Sequence, residues 1–210
     1  VKGYADRHHA GSVLAGDLTD HGGALVLGIP RGGVVVAAVV ARALDGDLDV
    51  AIARKVGAPF NPELAMGAVG VDGVALLDEA TVRALGVSAA DVDAEVARQT
   101  EEARRRLAVY RGGRPPLDIP GRTVIVVDDG VATGATMKAV LMEVRRQSPR
   151  RLICAVPCAP PQTIGELTAL ADEVVCPLQP PTFMAVGQWY RDFTQVTDDE
   201  VVALLAGDGP

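Results

Sequence analysis

Aromatic side chains are scarce in this chain, with three Phe, three Tyr and one Trp making up 3% of 210 residues. A core without aromatic bulk is filled by Ala, Val and Leu, which suits the thin, close-packed layers of a β/α alternation. Cysteine is nearly as rare. Cys154, Cys158 and Cys176 form no C-x-x-C pair, which excludes a disulfide scaffold, and His8, His9 and His21 stand too far away in sequence to complete a cysteine metal site. The three thiols are expected to be reduced and buried, the histidines to lie on the surface. Long hydrophobic runs are also missing: the longest, Val34 to Ala41, is stopped by Arg42, well short of the ~20 residues a membrane span needs. Asp6, Arg7, His8 and His9 fall where a signal peptide would be apolar, so the cytoplasm is the expected compartment. Nor is there an excess of positive charge. Twenty basic against 27 acidic residues leave a net charge of -7, which disfavours a nucleic-acid footprint and allows only a local basic pocket.

What remains is a chain 49% hydrophobic and 22% charged, long enough for one domain with a full core. The pattern predicts a first helix over Asp6 to Leu18, with Ala10, Val13, Leu14 and Leu18 on its apolar face. A buried strand, Ala24 to Ile29, runs into the tight loop Pro30-Arg31-Gly32-Gly33, followed by a helix from Val34 to Leu44. A second strand, Leu48 to Ala53, ends in Arg54-Lys55 and completes a βαβ unit. Val56 to Leu64 reads as a loop, and Met66 to Leu77 as a hairpin around Asp72-Gly73. Ser88-Ala-Ala-Asp91 is a capping-box-like start for the longest helix, which runs to Gly112-Gly113. Its Arg104-Arg105-Arg106 cluster reads as a solvated face. After Pro115, Pro116 and Pro120, the chain repeats βα steps: strand Thr123 to Val127, helix to about Arg146, strand Arg151 to Val156, helix Thr163 to Leu170, strand Glu173 to Cys176. A final helix starts at Asp198. The predicted fold is α/β, with a mainly parallel central sheet flanked by helices over a core of about 22–176 and a small hood from about 1–20 and 177–210, all in a single domain, 1–210.

Ligands in open α/β sheets bind beyond the carboxyl ends of the strands, and two strand-to-helix loops carry unusual residues. The stronger is Thr123-Val-Ile-Val-Val-Asp128-Asp129-Gly130-Val131-Ala132-Thr133-Gly134-Ala135-Thr136. A turn of small residues opening a helix exposes backbone N–H groups and partial positive charge, as a phosphate requires. Two carboxylates in front of that cradle would repel the phosphate unless they face sugar hydroxyls or a divalent cation. Phosphate, sugar and metal together suggest a phosphorylated ribose. Competing motifs are absent: no G-x-x-x-x-G-K occurs, neither glycine loop spells G-x-G-x-x-G, and the acid pair of a receiver-like pocket ends the first strand of a shorter chain.

The hydrophobic-hydrophobic-Asp-Asp-x-x-x-Thr-Gly-x-Thr segment closely resembles the phosphoribosyl-diphosphate (PRPP) loop of the type I phosphoribosyltransferases. By that resemblance Asp128 and Asp129 contact the ribose 2- and 3-hydroxyls and approach magnesium, while the turn from Gly130 and Val131 through Ala132, Thr133, Gly134, Ala135 and Thr136 wraps the 5-phosphate. Pro30, Arg31, Gly32 and Gly33 resemble the family's pyrophosphate loop. Arg54-Lys55-Val-Gly57 resembles the end of the second core strand, so that Lys55 reaches the diphosphate and a lid from Gly57 to Gly67 closes over it. Trp189, Tyr190 and Phe193 resemble a C-terminal hood in which an aromatic ring stacks on the base, with Asp192 assisting magnesium. The wider pattern, from Asp6-Arg7 through Pro30-Arg31-Gly32-Gly33, Arg54-Lys55 and Pro62-Glu63-Leu64-Ala65, looks like a bacterial subgroup of predicted phosphoribosyltransferases without an assigned base. Two positions depart from the family: Gly130 replaces a branched apolar residue and is expected to loosen the loop, and Ala132 replaces an aspartate that the 6-oxopurine enzymes place near the base.

The resemblance implies transfer of the 5-phosphoribosyl group of PRPP to a nitrogen base with release of pyrophosphate. Catalysis would rest on Mg2+, Arg31, Lys55 and the acid pair, with lid closure excluding water from an oxocarbenium-like ribose. The alternative is a non-catalytic PRPP-binding regulator or sensor, favoured by Ala132 and the thin hood and opposed by the retained leaving-group residues. The expected partners are PRPP and a small nitrogen base, with no nucleic acid and no membrane; a homodimer is the default for a soluble chain. The acceptor base is not legible.

Overall fold

A strand with no polar alternation has to be covered on both faces, and Thr123–Val127 (β6) shows how this is done. In the computed structural model, which describes residues 3–207, β6 lies at the centre of a five-stranded parallel sheet. Its neighbours are Leu25–Gly28 (β1) and Arg151–Ala155 (β7), with Asp47–Val50 (β2) and Glu173–Val175 (β8) at the edges, in the order β2-β1-β6-β7-β8. Side chains alternate across the sheet. Val124 and Val126 meet Met137, Val140, Leu141 and Val144 of helix Ala135–Arg146 (α5) and Leu167 of Pro161–Thr168 (α6). Ile125 and Val127 meet Leu14 of Arg7–Gly16 (α1) and Val36 and Val40 of Gly32–Ala43 (α2) on the other face. The expected parallel sheet flanked by helices is therefore present. Its register sets Gly28 between Val50 and Val127, so the loops leaving β1 and β6 emerge side by side.

Some boundaries differ from those expected. Strand β2 ends at Val50, and Arg54-Lys55 belongs instead to Ala53–Ala58 (β3), which pairs antiparallel with Asn61–Gly70 (β4) and, through it, with Ala75–Leu77 (β5) in a separate three-stranded sheet. Val56 to Leu64 is accordingly not a loop. It is a hairpin with Pro59-Phe60 at its tip, and Pro62 is accommodated because β5 pairs only with Gly67 to Val69 of β4, leaving the outer end of β4 open. Register shifts around Gly57 take up the irregularity. Val13 is 36% exposed and leaves the core face to Ala10, Leu14 and Leu18.

Helix Glu79–Leu85 (α3) was not legible from periodicity. It is a short helix bounded by caps: the Asp78 carboxylate accepts from Ala80 and Thr81 N–H, and Gly86 takes φ 64°. Helix Ala89–Arg111 (α4) begins at Ser88 as expected, its hydroxyl accepting from Asp91 N–H. The second sheet packs on α4 through Val56, Met66, Val69 and Val92. Arg104, Arg105 and Arg106 pair with Glu101 and Glu102 on the same helix, the solvated arrangement expected. His21 is the exception among the histidines, since its ring is half-buried and stands 3.3 Å from Glu173. Cys154, Cys158 and Cys176 are free thiols, the first two buried and the third half-buried.

The chain ends part company. Tyr4 bridges to Tyr190 in parallel, and Tyr4, Ala10, Cys158 and Tyr190 form a small core under Phe183, Val186 and Trp189. Helix Asp198–Ala206 (α7) instead packs Val201 and Leu205 on Val34, Val35 and Val50 at the sheet edge. Among the described residues no helix is long and apolar enough to cross a membrane.

Candidate active site

Two loops meet where β1 and β6 end. The β6 ladder continues one step, with Ile29 N–H donating to Val127 O at 2.8 Å, before the chains diverge into Pro30-Arg31 and Asp128-Asp129. The Pro30–Arg31 peptide is cis. Helix α2 starts at Gly32 without a side-chain cap, so its first N–H groups face the opening. A Cβ on Gly32 would overlap the Asp129 carboxylate, and one on Gly33 would stand 2.8 Å from Asp128 Cα. Only glycine lets the two loops lie this close.

Helix α5 begins just past the acids. Its N-cap is Gly134, at φ 80° and with no side-chain cap, so the first-turn N–H groups are open to an anion. The preceding turn is held from outside: Val131 N–H donates to Cys158 O at 2.9 Å and the Thr163 hydroxyl donates to Ala132 O at 2.6 Å. Ala132 and Thr133 are exposed on it. Gly130 does not loosen the loop as expected. It is buried, and a Cβ there would run into the Cys158 sulfur and Val186, so a branched residue has no room.

The two acids differ in their partners. Asp129 Oδ2 pairs with Arg7 Nε at 2.7 Å, and Arg7 also donates to Thr194 O and lies 3.9 Å over the Phe193 ring. Asp128 Oδ1 accepts from the N–H of Asp129 at 2.8 Å, and among the described residues Asp128 has no ion pair. Burial raises the Asp128 carboxyl well above the usual range, and the neighbouring Asp129 charge adds to it. Burial raises Asp129 too, against the opposing pull of Arg7. Among the described residues no three His, Cys, Asp or Glu side chains converge to cage a metal. Two acids with one guanidinium leave surplus negative charge, which fits a cation arriving on a diphosphate.

Of the residues picked from sequence, Pro30 to Gly33 and Asp128 to Thr136 are gathered at these strand ends. Arg31 is 37% exposed, 4.0 Å from Asp198. Lys55 is exposed on β3 of the second sheet. Tyr190 is buried, its hydroxyl donating to Asp129 O and its ring 5.5 Å from Tyr4 and 5.0 Å from Phe193. Trp189 is half-buried, 6.1 Å from Phe183. Asp192 is exposed, and its carboxylate accepts from Thr194 N–H and hydroxyl, which lowers its pKa. Arg7 was part of the sequence pattern but had no role there.

Comparison with known proteins agrees with this geometry. The sequence pattern of the phosphoribosyl transferase domain matches residues 17–193. The chain belongs to that family. Two curated Mycobacterium tuberculosis proteins, from strains CDC 1551 / Oshkosh and ATCC 25618 / H37Rv, carry phosphoribosyl transferase as a provisional name and are 46% identical over 207 residues, 98% of this chain. The chain spans about half the length of these relatives, 47%. TT1426 from Thermus thermophilus superposes with a TM-score of 0.84 at 46% identity, covering 100% of both chains. The purine phosphoribosyltransferase from Pyrococcus horikoshii Ot3 has a TM-score of 0.50 at 16% identity over 91% of this chain and 92% of that one, a likeness of fold alone. By family the phosphoribosyl transferase domain described here falls in the pentosyltransferase class.

Proposed function

We propose that the domain transfers the 5-phosphoribosyl group of PRPP to a nitrogen base and releases pyrophosphate. The observation that carries this reading is the side-by-side exit of the glycine loop and the acid pair from adjacent parallel strands, with an uncapped helix behind each. In this reading the 5-phosphate sits on the α5 N-terminus and the turn from Gly130 to Thr136, where N–H groups and dipole favour an anion. The diphosphate lies over Pro30 to Gly33, where open α2 N–H groups and the Arg31 guanidinium match the charge that accumulates as the C1–O bond breaks. Lys55 adds a second cation from the hairpin sheet. Asp128 and Asp129 meet the ribose hydroxyls and would share magnesium with the diphosphate. Bound there, magnesium would neutralise charge on the leaving group. The aromatic hood, Trp189 to Phe193, borders the side from which a base would approach. Free thiols at Cys154, Cys158 and Cys176 suit a reducing compartment, and we assign the domain to the cytoplasm.

The test is pyrophosphate release from PRPP and Mg2+ over adenine, guanine, hypoxanthine, xanthine, uracil and orotate, with a no-base control. Release that depends on one base identifies the acceptor. Release with none, together with tight PRPP binding, replaces the enzyme by a PRPP sensor, the reading that exposed Ala132 favours because it brings no titratable group to the base. Normal turnover in the Asp128→Asn, Asp129→Asn double variant would overturn both.

A further inference from the structure

Asp129 is held from the hood at two points. The Tyr190 hydroxyl donates to its backbone carbonyl, and Arg7 Nε pairs with its carboxylate. Arg7 is itself fixed at three points: Asp129, Thr194 O at 2.8 Å, and the face of Phe193. Its side chain is only 11% exposed. The same two segments are stitched by backbone bonds, Tyr4 N–H to Trp189 O, Arg191 N–H to Tyr4 O and Asp192 N–H to Ala5 O. A partly buried, charge-assisted contact between elements 122 residues apart is a strong directional restraint. Asp128 shares none of it, bonding to the Asp129 N–H and lying against Gly33.

We propose that the acid pair is divided in labour: Asp129, gripped by Arg7, anchors the hood over the site, and Asp128 is the acid that meets the ribose. Arg7 is then a positioning residue, aligning the aromatic hood with the ribose carbon without touching PRPP. The division rests on the phosphoribosyl reading, whereas the anchor rests on the contacts alone.

The experiment compares Arg7→Met, Arg7→Lys, Asp128→Asn and Asp129→Asn with the wild type. Calorimetry with PRPP and excess Mg2+ should give Arg7→Met and Asp129→Asn a Kd within about threefold of wild type, and Asp128→Asn one weaker by roughly tenfold or more. Amide exchange at Tyr4, Arg191 and Asp192 should speed up by roughly tenfold in Arg7→Met, less in Asp129→Asn and not at all in Asp128→Asn. With the base found by the pyrophosphate screen, Arg7→Met should lower kcat by roughly tenfold at unchanged KM for PRPP, and Arg7→Lys should recover part of it. Wild-type protection at those amides in Arg7→Met removes the anchor. Loss of PRPP in Asp129→Asn equal to that in Asp128→Asn removes the division. A wild type that does not bind PRPP overturns the phosphoribosyl reading and the division with it, and the exchange arm still decides the anchor.

Discussion

Gly33 rides directly on Asp128: a Cβ at Gly33 would stand 2.8 Å from the Asp128 Cα and 2.9 Å from Val127 O. Both are backbone atoms of the acid-bearing strand end and cannot swing aside as a side chain would. Gly33→Ala therefore wedges α2 away from β6. The expected loss is roughly 1–3 kcal/mol of stability, with a larger proportional fall in pyrophosphate release. Gly165 lies inside α6, where a Cβ would meet nothing within 4 Å, and Gly165→Ala should gain roughly 0.5–1 kcal/mol. Urea unfolding of the two variants reads both signs, and a Gly33→Ala chain as stable as wild type would contradict the close packing of the loops.

Arg31 and Lys55 are exposed enough to be removed at little cost to the fold. Surface changes of this kind stay within about 0.5 kcal/mol. As cations for a departing diphosphate they should matter far more to rate, by roughly 10²-fold each. Arg31→Met and Lys55→Met are expected to keep the wild-type Tm while kcat falls. Full turnover in Lys55→Met would take the second sheet out of leaving-group stabilisation.

The parts legible in the sequence are those whose meaning is local. Four apolar residues, then Asp128-Asp129 and a small-residue turn, dictate a doubly covered strand, a polar tip and an open helix start within one stretch of chain. Gly28 to Gly33 does the same on β1. Local patterns misled where a tertiary partner decides. Gly57 and Pro62 read as loop residues, yet they sit in a hairpin whose bulged register and open outer edge tolerate them. Arg54-Lys55 looked like the end of a parallel strand because the chain passes from β2 into β3 with only Ala51 and Ile52 between them. Arg7 and Asp129 are 122 residues apart, and no periodicity connects them. Gly130 looked like slack in the loop because the Cys158 and Val186 that pack against it come from distant segments.

Tyr190 shows how an aromatic can be placed rightly in a region and still have an unforeseen duty. Its hydroxyl is committed to Asp129 O, and burial pushes its pKa up. Tyr190→Phe keeps the ring and its contacts with Tyr4 and Phe193 but leaves that carbonyl without its donor. The expected cost is about 1 kcal/mol, read as a lower Tm. An unchanged Tm would mean that water replaces the hydroxyl without loss.

Glu143 gives the fold a pH dependence of its own. From α5 its carboxylate accepts the Val71 N–H at 3.2 Å and crowds Gly70, where a Cβ would overlap it. Burial pushes the acid up and the Asp72 charge adds to this, while the Val71 N–H, Arg146 and Arg111 pull the other way, leaving it at about 7 against an ordinary 4.5. Between those two values the folded chain keeps a proton that the unfolded chain releases, so stability falls as pH rises. The contribution is complete below the unfolded value and is lost as pH passes the folded one, amounting to about 3 kcal/mol. In Glu143→Gln the carboxamide oxygen still accepts from Val71 and carries no charge. That variant should match wild type near pH 5 and exceed it by roughly 1–3 kcal/mol near pH 8.5 in urea unfolding. A difference between the two proteins that does not change with pH would mean that Glu143 is ionised throughout, and that the hairpin sheet is clasped to α5 by a charge rather than by a neutral acid.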